Sequence, residues 1–166
     1  MTVLLVDNLD TEASVLASAL RVEGFEVIVA TPARAAREVL TRNAVVLTII
    51  DLMLRSEAGC NGLELAREFR QTHPSMRVLL TSSYHLSERQ LARADCGVSG
   101  FIPKPYDLRE VVEFVRVKVS SPPSSRRIWT SEAPSGVSPR LDLDPPSSVL
   151  RAAAGNDVAV GYVRRR

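Results

Sequence analysis

The stretch Val45-Val46-Leu47-Thr48-Ile49-Ile50-Asp51 decides the fold. Its residues favour a strand, it is almost wholly apolar, and it ends abruptly in a carboxylate. A strand apolar on both faces must be covered on both, which is the condition of a parallel sheet packed between helices. Four further runs read the same way: Val3-Leu4-Leu5-Val6, Phe25-Glu26-Val27-Ile28-Val29, Met76-Arg77-Val78-Leu79-Leu80 and Gly100-Phe101-Ile102. Between them, periodicity and caps mark helices at 11–22, closed by Gly24, at 32–41, with Thr31 as N-cap and Pro32 in the first turn, and at 63–71. Two more helix starts carry capping boxes, Ser87 with Gln90 and Asp107 with Glu110. The resulting (βα)5 order requires right-handed crossovers and predicts a doubly wound α/β sandwich of three layers around a five-stranded parallel sheet.

Composition narrows the function. With 45% apolar and 24% charged side chains in 166 residues, the chain has the make-up of a globular domain. No stretch approaches the roughly 18 to 20 apolar residues of a membrane span. The first apolar run follows Met1-Thr2 with no basic segment before it, so a cytoplasmic location is expected. Residues 1–119 carry 14 basic and 15 acidic side chains, and so no basic footprint for nucleic acid. Residues 120–166 carry 7 and 4, and 18 of those 47 residues are Ser, Pro or Gly. That segment reads as a mildly basic linker or disordered tail, too poor in apolar area to offset chain entropy. A nucleic-acid role would rest only on Arg164-Arg165-Arg166. Cys60 and Cys96 are too few for a disulfide framework or a zinc site, and His73 and His85 lack ligand partners at useful spacing.

In a doubly wound sheet, ligands bind beyond the carboxyl ends of the strands, where strand order reverses. Strand 1 ends at Asp7, strand 3 at Asp51 and strand 4 at Thr81, and strand 5 is followed by Lys104-Pro105. Two carboxylates in one crevice repel unless a cation neutralises them, and a hard ion such as Mg2+ suits oxygen ligands. Such an ion and the Lys104 ammonium would neutralise a phosphoryl group arriving on Asp51, and the Thr81 hydroxyl could hydrogen-bond it afterwards. There is no Ser-His-Asp or Cys-His arrangement, no P-loop and no dinucleotide fingerprint, so no catalytic residue is assigned and the chain is not read as an enzyme.

Taken in order, Val3-Leu4-Leu5-Val6-Asp7, Ile49-Ile50-Asp51-Leu52-Met53-Leu54, Leu79-Leu80-Thr81-Ser82 and Phe101-Ile102-Pro103-Lys104-Pro105 resemble the receiver domain of bacterial two-component response regulators, over residues 1 to about 119. The resemblance implies a flavodoxin-like sheet of order 2-1-3-4-5. It implies Asp51 as phosphoacceptor, a Mg2+ site formed by Asp7, Asn8, Asp51 and Met53, a switch hydroxyl at Thr81, Lys104 as partner of the acyl phosphate, and Phe101 as switch aromatic. An aromatic on a short strand is also commonly core. The family usually has paired acids after strand 1, whereas here the second is Asn8, so ion binding should be weak. The loop from Asp51 to Gly62 is about three residues longer than the family pattern and lacks its customary proline.

The function so implied is that of a single-domain, chemotaxis-regulator-like response regulator, phosphorylated by a histidine kinase or phosphotransfer protein and acting on a downstream protein target. The alternative is a pseudo-receiver that keeps the fold as an interaction module and no longer uses phosphate, with Asn8 as its support. On the last helix, Leu108, Val111, Val112, Val115 and Val119 form one apolar stripe. Phe114 and Val117 fall outside it, which suggests an exposed contact surface for a partner or a second copy of the chain. The competing readings are that the tail covers these two residues or that the helix frays there.

Overall fold

The computed structural model describes residues 1–8, 11–31, 33–54, 61–84, 86, 89, 90 and 97–121. Five strands, β1 (Thr2–Val6), β2 (Glu26–Ala30), β3 (Val45–Asp51), β4 (Arg77–Ser82) and β5 (Gly100–Pro103), form one parallel sheet of order β2-β1-β3-β4-β5. Helices α1 (Thr11–Val22), α2 (Ala33–Arg42), α3 (Gly62–Thr72) and α4 (Leu108–Ser120) cover it.

The strands are apolar on both faces because each face has its own core. Val3, Leu5, Leu47, Ile49, Leu79 and Ile102 pack with Leu16 and Leu20 of α1 and Val111, Val112 and Val115 of α4. The alternate residues Leu4, Val6, Ile50, Val78, Leu80 and Phe101 pack with Ala36 and Leu40 of α2 and Leu63, Leu65 and Phe69 of α3. Three layers follow from this period of two.

Helix ends follow local chemistry. Gly24, with φ +87°, closes α1 as expected. Its N–H donates to the Arg21 carbonyl and that of Phe25 to the Leu20 carbonyl, the paired bonds of a left-handed C-terminal cap. The complete capping box lies at Asn61 and Glu64, where the sequence reading had not placed one. The Asn61 side chain accepts from the Leu63 and Glu64 backbones, and the Glu64 carboxylate accepts from the Asn61 N–H. At α4 the Asp107 carboxylate accepts from Arg109 and Glu110, which is the N-cap half of the expected box. Thr31, expected to cap α2, donates its hydroxyl to the Asp7 carbonyl. The Ser87 start, His85, Pro32, Cys60, Cys96 and the tail 122–166 lie outside the described residues.

On the last helix Val117 is exposed, whereas Phe114 is half-buried, with part of its ring packed against the α1/α4 core. Gly100 opens a hollow on β5, and the Phe114 ring fills it so closely that a Cβ at Gly100 would lie 2.8 Å from Cζ. Lys118 is buried as well, with Nζ 5.4 Å from the Phe114 ring centroid.

Candidate functional site at the carboxyl ends of the strands

Strand register assembles the site. Val6 pairs with Ile50, Asp51 with Thr81 and Ser82 with Pro103, and the Lys104 N–H donates to the Ser82 carbonyl at 2.8 Å. The residues that end four strands are thereby gathered on one edge. Sequence order reverses between β1 and β3, so Asp7 and Asp51 flank the switch point.

Lys104 is 6% exposed, and its Nζ lies 3.0 Å from Asp51 Oδ2 and 3.2 Å from Asp7 Oδ2. One ammonium thus bridges two buried carboxylates. Burial alone would pull its pKa down, but the hydrogen bond and charge of Asp51, joined by those of Asp7, outweigh this and hold it above the usual lysine range. Glu12, in the first turn of α1, stands 3.7 Å from the same nitrogen with its side chain 57% exposed.

The remaining carboxylate oxygens are held by backbone. Asp51 Oδ1 accepts from the Met53 N–H at 2.8 Å, and Asp7 Oδ1 from the Asn8 N–H at 2.6 Å. The Asn8 amide Nδ2 donates to the Met53 carbonyl oxygen at 3.1 Å. The donors are hard oxygens in kind: two buried carboxylates and a backbone carbonyl. They fit a divalent cation such as Mg2+, which typically takes one or two carboxylates and keeps several waters. Asn8 can add a neutral oxygen but no charge.

Thr81 Oγ1 is buried and has no hydrogen-bond partner among the described residues. An unpaired buried hydroxyl costs about 1–3 kcal/mol. Phe101 is packed in the α2/α3 core layer and is 2% exposed, which puts it away from solvent. Phe114 and Val117 lie on α4, apart from the Asp7–Asp51–Lys104 group.

Two contributors were not read from the sequence. Glu12 is recognisable only once α1 swings its first turn toward Lys104. Gly62 packs against the end of β3 so tightly that a Cβ there would lie 2.1 Å from the Asp51 carbonyl oxygen. The Asn61-x-x-Glu64 spacing was a readable signal for the cap beside it.

The response regulator receiver domain family model matches residues 3–116 of this chain. The chain belongs to this family. The transcriptional regulatory protein CpxR of Klebsiella pneumoniae is 32% identical over 142 residues, covering 86% of this chain and 58% of CpxR. The photosynthetic apparatus regulatory protein RegA of Rhodobacter capsulatus is 27% identical over 117 residues, covering 70% of this chain and 62% of RegA. The receiver chain therefore spans less than two thirds of the length of these relatives. Among solved structures, a CheY-like receiver domain protein from Methanospirillum hungatei superposes with a TM-score of 0.64 at 23% identity, covering 72% of this chain and 93% of its own. A response regulator from Thermotoga maritima gives 0.62 at 28%, with 72% and 98% covered. The T. maritima regulator TrrA, solved in complex with Mg2+ and BeF, gives 0.59 at 24%, with 70% and 96% covered. No helix among the described residues of this receiver is long and apolar enough to cross a membrane.

Proposed function

We propose that this receiver domain is a cytoplasmic phosphorelay switch that accepts a phosphoryl group on Asp51 from a histidine kinase or phosphotransfer protein. The observation that carries the reading is the meeting of Asp51, the Lys104 ammonium and the unpartnered Thr81 hydroxyl on adjacent strand ends. An Asp51 carboxylate oxygen attacks the phosphorus of a phosphohistidine. The O–P bond forms as the P–N bond breaks, and the electron pair of the broken bond stays on the imidazole. Lys104 offsets charge on the group being transferred, and the Thr81 hydroxyl donates to a phosphoryl oxygen of the acyl phosphate. Asp7, Asp51, the Met53 carbonyl and Asn8 are the residues that would hold Mg2+, which supplies further positive charge for phosphoryl transfer. Binding is weak because Asn8 brings no charge. Drawing Thr81 toward the phosphoryl group leaves room for Phe101 to repack, which transmits the change toward β5 and α4.

The unit that performs this is residues 1–119, with 120–166 as a Ser/Pro-rich tail, and the end of α4 at Ser120 supports that boundary. Output is by contact with a downstream protein, in keeping with the near balance of charge in residues 1–119.

The test is intact mass after exposure to a small phosphodonor with Mg2+. The wild-type protein should gain one phosphoryl group and Asp51→Asn none. The hydrogen bond from Asn8 to the Met53 carbonyl favours a second reading, a pseudo-receiver that acts as an interaction module without phosphate. No mass gain from either a small donor or a cognate kinase would establish it instead.

A further inference from the structure

The charge balance at the site has a contributor outside the strand ends. Asp7 and Asp51 together carry two negative charges, and Lys104 returns one positive charge between them. Asn8 adds none, so these residues alone leave a net charge of only one negative unit to attract a divalent cation. Glu12 lies 3.7 Å from Lys104 Nζ and is the third carboxylate around that ammonium.

We propose that Glu12 takes over, from helix α1, the negative charge that Asn8 fails to supply, and so sets the affinity of the site for Mg2+. Its place in the first turn of α1 holds the carboxylate at the rim of the crevice. On its other side Glu12 lines an open cavity of about 200 Å3 with Thr11, Val15, Pro105, Tyr106 and Leu108, a space that Asp7, Asp51 and Lys104 do not line. The side chain remains solvated, so it acts through its field and not as a buried ligand. It also shares Lys104 with the two aspartates, and an ammonium drawn partly toward Glu12 neutralises their oxygens less. Both effects have the same sign: removing the Glu12 charge weakens cation binding.

The inference rests on the reading that the site binds Mg2+, and the experiment separates the two. Mg2+ alone is titrated into the full chain by calorimetry at low ionic strength and again with added salt. Glu12→Gln should weaken binding by roughly three- to tenfold at low salt, with a smaller difference at high salt, as expected of a solvated charge several ångströms from the ion. Asn8→Asp with Glu12→Gln should return the affinity close to that of the wild type. Glu23→Gln, which removes an acid at the far end of α1 paired with Arg116, should leave the affinity unchanged. An acidic residue in a first helical turn also favours the helix dipole, but loss of that effect alone would lower thermal stability and leave Mg2+ affinity untouched. Equal Mg2+ affinity of wild type and Glu12→Gln at low salt would overturn the role of Glu12 alone. Absence of Mg2+ binding by the wild type would overturn the cation reading and this inference with it.

Discussion

The Asn8 side-chain amide donates a 3.1 Å hydrogen bond to the carbonyl oxygen of Met53, tying the segment that leaves β1 to the one that leaves β3. This N–H occupies the position of a positive group facing the Met53 carbonyl.

Asn8→Asp reverses that relationship. The new carboxylate turns an oxygen toward the Met53 carbonyl, so the hydrogen bond is replaced by repulsion, at a cost of about 1–2 kcal/mol in metal-free protein. In return, the extra charge should tighten Mg2+ binding about tenfold. Thermal unfolding should show a variant less stable than wild type without Mg2+ and more strongly stabilised when the ion is added. Equal calorimetric affinities of the two proteins would contradict the prediction.

Lys104→Met leaves Asp7 and Asp51 buried beside each other without their shared ammonium. The loss should be about 3 kcal/mol at neutral pH, partly restored by Mg2+. Because the folded-state pKa of Lys104 is raised above the ordinary 10.5, its contribution is fully present below that value. It is lost only as pH rises through the still higher folded value. Denaturant unfolding should show a gap between the two proteins that persists through neutral pH and narrows only in strong alkali. A gap that closes near pH 8 would contradict this origin.

Gly62→Ala should be one of the most damaging small substitutions near the site. The added methyl would lie 2.1 Å from the Asp51 carbonyl oxygen and 2.8 Å from Leu52 Cα, and neither backbone atom can turn aside. The gain in helix propensity, about 1 kcal/mol, does not offset a displacement of α3 or of the Asp51 strand end. We expect a net loss of about 2–3 kcal/mol and slower phosphorylation from a small donor. Wild-type stability and rate would show that the helix start can shift freely.

On β5 the clash partner is softer. Gly100→Ala brings its methyl within 2.8 Å of Phe114 Cζ, the far end of a side chain. The cost should be about 1–2 kcal/mol and should fall when Phe114→Leu is combined with it, a positive coupling in a double-mutant cycle. Phe114→Ser alone should destabilise the domain, whereas Val117→Ser should not. Additive effects of Gly100→Ala and Phe114→Leu would show that the two positions do not meet.

Much of this was legible in the chain. Apolar runs such as Val45 to Ile50 demanded helices on both faces, and the two core layers match that demand; the sheet order was implied only by the family resemblance, which the observed order matches. The strand-end positions of Asp7, Asp51, Thr81 and Lys104 were readable because a period of two and a terminal polar residue are local properties of the chain. Gly24 closing α1 was equally local. Helix bounds shifted by a residue, as at α2 and α3, because the cap geometry that ends a helix depends on neighbours the pattern does not name.

What the tertiary structure alone decided was which side chains share a partner. A helical wheel puts Phe114 on the outer flank of α4. It cannot register that Gly100, on an adjacent edge strand, leaves a hollow for the ring. No local pattern distinguishes Glu12 from any other acid in a first helical turn until the fold brings it within 3.7 Å of Lys104. The same holds for Asn8 and Met53, which are 45 residues apart in the chain and joined by one hydrogen bond. Periodicity and caps report the interactions a residue has with its own segment. Charge sharing and ring packing depend on distances between segments, which are set only when the layers close on the sheet.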